Sequence, residues 1–125
     1  MLKSVLIAGA GGFLGSALRF IISRYIQFTV DSVFPWGTFI VNIAGSFMLG
    51  IFLGISEKAG LMSPEWRIFF TIGICGGFTT FSSFSNEAFI LLQNKELLRF
   101  AGYAGFSFFF GLAAVFLGRA LIKLS

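Results

Sequence analysis

The sequence has no histidine, one cysteine, two prolines and few charges. Without histidine the commonest metal ligand and general base near neutral pH is missing. No nucleophile is paired with a base, so an enzyme is disfavoured. The single cysteine, Cys75, excludes an intrachain disulfide and reads as a small buried apolar residue. Charged residues make up 11% of the chain, against about 25% in a soluble domain. With 57% hydrophobic residues the chain is too apolar for a water-facing surface, and the excess apolar area is expected to face lipid. Lys and Arg outnumber Asp and Glu nine to five, for a net charge of +4. In such a chain the cations sit at segment ends as anchors and say little about nucleic acid.

What the chain has in abundance is apolar length. Four runs separate at about residues 4–26, 36–55, 66–92 and 100–121, each meeting the roughly 20 residues needed to cross the hydrocarbon core. The breaks, Gln27 to Pro35, Glu57 to Glu65 and Gln93 to Arg99, are polar or turn-forming. Pro35 and Pro64 each precede a segment, a position that suits a helix start. The first run is too long for a signal-peptide core and is read as a retained helix. The expected fold is therefore an all-α membrane protein, one four-helix transmembrane domain over residues 1–125.

Charge at the segment ends orients this domain weakly. With both termini on one side, that side collects Lys3, Lys58, Arg67, Arg119 and Lys123. The other collects Arg24, Lys95 and Arg99, with Arg19 if its side chain snorkels that way. A chain with so small a bias can insert either way up. Two opposed copies could then pair about a two-fold axis in the membrane plane. A parallel homodimer or a larger bundle is the alternative.

The first run opens with a misleading motif. Gly9, Gly12 and Gly15 follow Val5-Leu6-Ile7 with the spacing of a dinucleotide-binding turn, and Asp31 falls about 20 residues on. However, Asp31 lies in a break between two lipid-length segments, and no Tyr-x-x-x-Lys occurs. The glycines read better as helix packing, with Gly11 and Gly15 forming a GxxxG beside a row of Ala8, Gly12 and Ser16. Arg19 lies about two turns inside the segment end. It either snorkels to the interface or stands as a cation near a pore mouth.

In the second run Thr38, Asn42, Ser46, Gly50 and Gly54 recur at four-residue steps, one polar and small stripe on an apolar helix. Asn42, an amide deep in a membrane span, either bonds a neighbouring helix or donates to something passing by. Trp36 suits an interfacial anchor. In the fourth run Tyr103, Ser107 and Gly111 share a face, extended by Ala114 and Gly118.

The third run departs furthest from a lipid-facing pattern. It is longer than one straight span needs, and Gly73, Gly76 and Gly77 followed by Thr79 and Thr80 predict a break near its middle. Broken helices expose unpaired carbonyls and N–H groups, which survive at membrane depth only when buried in protein or bound to an ion. Such carbonyls suit a small cation such as Na⁺; a simple kink packed on a neighbour is the plainer alternative. Beyond the break Phe78, Phe81 and Phe84 recur every third residue, beside a face carrying Thr80, Ser83 and Glu87. Aromatic edges carry positive potential and can approach an anion. Glu87, an ionisable group inside the run, is expected to be protonated, paired or near water. Across runs two to four the polar inventory (Thr38, Asn42, Ser46, Thr79, Thr80, Ser82, Ser83, Tyr103 and Ser107) is rich in donors and holds no fixed cation. It suits a small, strongly hydrogen-bonding anion.

Three motifs resemble the Fluc (CrcB-like) fluoride channels over nearly the whole length. Gly12-Phe-Leu-Gly-Ser-Ala-Leu-Arg19-Phe20 is similar to the family's Gly-x-x-Gly-Ala-x-x-Arg-Tyr, with Ser16 and Phe20 as departures. Trp36-Gly37-Thr38-Phe-Ile-Val41-Asn42-Ile-Ala-Gly45-Ser46-Phe47 resembles the second-helix motif closely. Gly76-Gly77-Phe78-Thr79-Thr80-Phe81-Ser82-Ser83-Phe84 resembles the third-helix signature, with Ser83 where Thr is usual. The resemblance implies an antiparallel dual-topology homodimer in a bacterial plasma or inner membrane, passing fluoride passively through two pores. It implies that Asn42, Phe81 and Phe84 contact fluoride, that Tyr103 and Ser107 belong to a polar track, and that Arg19 stands near the vestibule. Gly111 occupies a place where a second serine can occur. Thr38 and Ser83 join the pore list from the donor inventory. The carbonyls of Gly76 and Thr79 match positions that hold a structural Na⁺. Two other readings compete. A proton-coupled small multidrug transporter would need a carboxylate in the first helix, which has none. A structural membrane subunit would use its polar stripes only for packing.

Overall fold

The computed structural model describes residues 1–58 and 60–125. Four helical spans long and apolar enough to cross a membrane follow one another: Leu2–Val30, Trp36–Glu57, Pro64–Gln93 and Leu97–Leu124. The first two are continuous helices, α1 (Leu2–Val30) and α2 (Trp36–Glu57). The third is built from four pieces: α3 (Pro64–Arg67), a π-helical stretch Ile68–Cys75, α4 (Gly76–Phe78) and α5 (Phe81–Gln93). The last span is α6 (Leu97–Leu124).

Each helix runs several residues past its apolar core. Apolar content marks the part in hydrocarbon, whereas the hydrogen-bonded helix continues into the interface until a cap stops it. Helix α1 therefore absorbs Gln27, which lay in a break by sequence. It ends at Asp31, which turns left-handed (φ 50) and donates its N–H to the Gln27 carbonyl. The Gln27 side chain then ties the loop together. Its amide nitrogen donates to the carbonyls of Ser32 (2.8 Å) and Phe34 (3.2 Å), and its oxygen accepts from Gly37 N–H (3.0 Å) in the open first turn of α2. Helix α3 starts with a side-chain cap, Ser63 Oγ accepting from Trp66 N–H (3.3 Å), with Pro64 in its first turn.

Small residues decide which helices touch. At Gly15 an added Cβ would fall 2.8 Å from Phe78 N and closer still to the Ile74 carbonyl. Gly11 and Gly15 are the buried residues of α1, and they bring it against the π-helical stretch and α4. Gly50 of α2 meets the backbone of Val115 and Arg119, while Gly118 of α6 meets Phe47 and Ile51, so α2 and α6 interlock. The stripe expected on α2 is thus divided. Gly50 and Gly54 serve packing against α6, and the polar half toward Asn42 is left for another purpose. The core near the α2 and α6 N-termini centres on Tyr103, 0% exposed, with Ala88 and Leu91 and the rings of Phe34, Phe39, Phe84 and Phe100 around it.

Candidate ion-conduction site at the broken third helix

The break sits at Thr79 and Thr80, both in extended conformation (φ −90, ψ 157 and φ −150, ψ 121) between α4 and α5. Two consecutive extended residues remove helical bonds on either side. Local replacements are visible at each step. Thr79 keeps its N–H on the Cys75 carbonyl (3.0 Å) and adds its hydroxyl to the same oxygen (2.9 Å). Thr80 caps the new helix, its Oγ1 accepting from Ser83 N–H (3.1 Å).

Two side chains from other spans complete these replacements. In a continuous helix Thr80 N–H would bond the Gly76 carbonyl; here it donates to Asn42 Oδ1 (2.8 Å). Asn42 Nδ2 donates in turn to the Thr80 carbonyl (3.1 Å), so one amide brackets one peptide residue from both sides. The Gly77 carbonyl, whose helical donor would be Phe81 N–H, accepts instead from Arg19 Nε (2.9 Å). Gly76 thereby loses its helical donor, and the Thr79 carbonyl accepts no hydrogen bond among the described residues. The two oxygens singled out from the sequence as cation ligands are thus among those left without a donor, together with the Phe78 carbonyl.

A cavity of about 380 Å³ opens beside the break. It brings together Asn42 and Ser46 of α2, Gly76, Thr79 and Thr80 at the break, Phe81 and Phe84 of α5, and Ser107 and Gly111 of α6. The Phe81 and Phe84 rings lie 5.7 Å apart, tilted by 37°. The Ser107 hydroxyl is buried and finds no partner among the described residues. A buried orphan hydroxyl is costly unless something occupies it. Phe84 also contacts Tyr103 (centroids 4.9 Å), which leads away from the cavity. There the Tyr103 hydroxyl donates to Glu87 Oε1 (3.5 Å), and Thr38, only 7% exposed, stands beside both groups. Glu87 is accordingly paired within the span.

The sequence-derived residues thus fall into groups. Asn42, Phe81, Phe84 and Ser107 line one cavity; Thr38 and Tyr103 form a buried cluster with Glu87 behind Phe84; Ser83 contributes its N–H to the Thr80 cap. Arg19 is half-buried, does not line the cavity and gives its Nε to a backbone carbonyl. Sequence reasoning left Ser46 and Thr80 off the list of site residues. Both were signalled, Ser46 by its four-residue step from Asn42 and Thr80 by its place after the glycines. The π-helical stretch had no signal at all, being eight residues of ordinary apolar composition with Thr71 and Gly73. Among the described residues no cluster of His, Cys, Asp or Glu could hold a metal ion, so any cation here would rest on carbonyl oxygens.

Comparison with known proteins bears directly on this arrangement. The family model described as "CrcB-like protein, Camphor Resistance (CrcB)" matches residues 6–119. A protein of Flavobacterium psychrophilum named fluoride-specific ion channel FluC is 41% identical over 122 residues, covering 98% of both chains. A protein of the same name from Azobacteroides pseudotrichonymphae is 45% identical over 123 residues, again 98% of each. A third, from Thermus thermophilus, is 44% identical over 116 residues, 93% of this chain and 91% of its own.

Proposed function

The chain belongs to the CrcB-like family, and from that membership we propose that it is a passive, fluoride-selective channel that lets fluoride leave the cytoplasm. The observation that carries the reading is the donor-lined cavity at the broken helix, in a multi-pass membrane chain that aligns nearly end to end with proteins named fluoride-specific ion channels.

A bare anion in hydrocarbon costs tens of kcal/mol in the idealised limit, and fluoride holds its water tightly. A fluoride path must therefore offer short-range donors in series, none strong enough to trap the ion. The Asn42 amide has a second N–H beyond the one given to Thr80, and the Ser107 hydroxyl is without a partner. Phe81 and Phe84 line the same cavity, and a ring edge turned to the ion would add a weak anion contact through its positive potential. The hydroxyls of Thr38 on α2 and Ser83 on α5 extend the donor series, and that of Tyr103 on α6 joins it when its proton turns from Glu87 to the ion. Hydrogen fluoride crosses membranes as a neutral molecule and ionises in a near-neutral cytoplasm. A pore of this kind returns the anion, helped by a negative interior potential.

The active unit in this reading is an antiparallel dual-topology homodimer with two pores. A single chain opens the cavity outward and leaves polar groups at the break, the Ser107 hydroxyl and the free carbonyls, without partners that lipid could supply. A second copy facing the break would cover it. The Gly76 and Thr79 carbonyls, without helical or side-chain donors, fit a structural Na⁺ shared between two copies. Hard oxygen donors suit such an ion, and when bound it supplies a fixed positive charge at the junction.

Reconstitution tests the function. Liposomes loaded with fluoride and carrying the protein should release it to a fluoride electrode at least about 100-fold faster than protein-free vesicles, with no matching chloride release. Release at the protein-free rate overturns the proposal.

A further inference from the structure

The sequence left Arg19 as either an interfacial snorkel or a charge at a pore mouth. Its hydrogen bond points to a third role. Gly11, Gly15 and Arg19 follow one another at four-residue steps and so share one face of α1. The two glycines bring that face into backbone contact with the π-helical stretch and α4. The next residue on the face is then within reach of the break, and Arg19 Nε donates to the Gly77 carbonyl at 2.9 Å. On the opposite flank Asn42 holds both the N–H and the carbonyl of Thr80. Gly77 follows Gly76, and Thr80 follows Thr79. Each clamped residue is therefore the immediate neighbour of one carbonyl left without a donor.

We propose that Arg19 and Asn42 form a two-sided brace across the break, and that Arg19 is a positioning residue that aims the Gly76 and Thr79 carbonyls at their cation. This rests on the cation reading above. The argument is one of replacement. Breaking the helix frees several carbonyls, and an unconstrained chain would turn them toward whatever donor is nearest. Fixing the Gly77 peptide from α1 and Thr80 from α2 leaves the Gly76 carbonyl just before the first clamp, and the Thr79 carbonyl just before the second, little freedom to turn away. Arg19 supplies a hydrogen bond here, and its charge is secondary. A guanidinium Nε and a glutamine Nε2 lie the same number of bonds from the backbone, so glutamine can repeat the contact without the charge. Methionine fills the same length with no donor.

The test compares reconstituted wild type with Arg19→Gln and Arg19→Met as Na⁺ is titrated against a large organic cation. The brace predicts that Arg19→Met raises the Na⁺ concentration for half-maximal fluoride flux by about tenfold, the loss expected for one hydrogen bond, while Arg19→Gln stays within about threefold of wild type. Equal loss of flux in both variants, with unchanged Na⁺ dependence, would instead mean that only the charge matters and would overturn the brace. Should Arg19→Met fail to assemble, a shifted Na⁺ dependence in Arg19→Gln alone overturns it. Deuterium uptake over residues 79–85 decides the brace independently of conduction. It should rise in Arg19→Met and match wild type in Arg19→Gln, and equal uptake in all three overturns the proposal. A wild type that passes no fluoride refutes the function proposed above and leaves this exchange comparison to judge the brace.

Discussion

Asn42 has groups enough for two jobs with one amide. Its oxygen and one N–H are committed to Thr80 at 2.8 and 3.1 Å, which leaves one N–H on a residue that lines the cavity. The choice left open by sequence, an interhelical bond or a donor to a passing ion, is therefore not a choice, because a carboxamide has enough groups for both. This makes Asn42→Asp unusually severe. Aspartate can still accept from Thr80 N–H, but it sets an oxygen against the Thr80 carbonyl and places a negative charge on the proposed anion path. Fluoride flux in liposomes should fall at least about 100-fold with the helical far-ultraviolet spectrum kept, and wild-type flux would remove Asn42 from the path. Ser107 offers the complementary case, a buried hydroxyl with no partner among the described residues, where an arriving anion gains a donor that need not first be freed.

The third span shows how a break is made affordable in a membrane. Thr79 and Thr80 leave the helix, and the lost bonds are replaced one by one: by the Thr79 hydroxyl, by the Thr80 cap, by Asn42 from α2 and by Arg19 from α1. Two of these four replacement groups come from other elements, so the break depends on how closely α1 and α2 approach. On α1 that approach is set by glycines. Gly15→Ala would press a methyl into the Ile74 carbonyl and Phe78 N and should cost about 1–3 kcal/mol. Gly9, with nothing within 4 Å of an added Cβ, is the control; Gly9→Ala should be neutral or gain up to about 1 kcal/mol of helix propensity. Reversible unfolding of the detergent-solubilised protein measures both, and equal effects would show that the GxxxG face is not the contact that matters.

The cavity at the break lies open on one side of the single chain. Phe81 stands in the open, and the weak charge bias along the sequence permits both insertions. Paired Glu57 with Arg119 and Lys123, and Glu96 with Arg99, place ion pairs at both ends of the spans, where they stay hydrated and contribute little stability. The proposed dimer makes a specific demand on Gly76. Within one chain an added Cβ there meets nothing within 4 Å, so alanine is sterically free. If a second copy faces the break, that methyl meets the partner, and Gly76→Ala should raise the dimer dissociation constant by about tenfold. Single-molecule photobleaching in liposomes reads the dimer fraction; an unchanged fraction would mean that the break is not the meeting surface.

Much of this protein was legible in its residues. Four apolar runs of membrane length, the position of the break, the GxxxG face and the division of polar residues onto α2, α5 and α6 all follow from periodicity and from the cost of polar groups in lipid, which act locally along the chain. The helix ends were misjudged by a few residues because hydropathy reports the lipid boundary while caps such as Asp31 and Ser63 decide where hydrogen bonding stops. The π-helical stretch Ile68–Cys75 was invisible, since its composition suits any buried helix. What only the tertiary structure decided is which donor answers which orphaned group. Arg19 and Asn42 lie 58 and 38 residues from the peptides they hold. No local pattern links them, because each bond exists only once glycine-mediated contact has brought separate helices within 3 Å or so of one another's backbone.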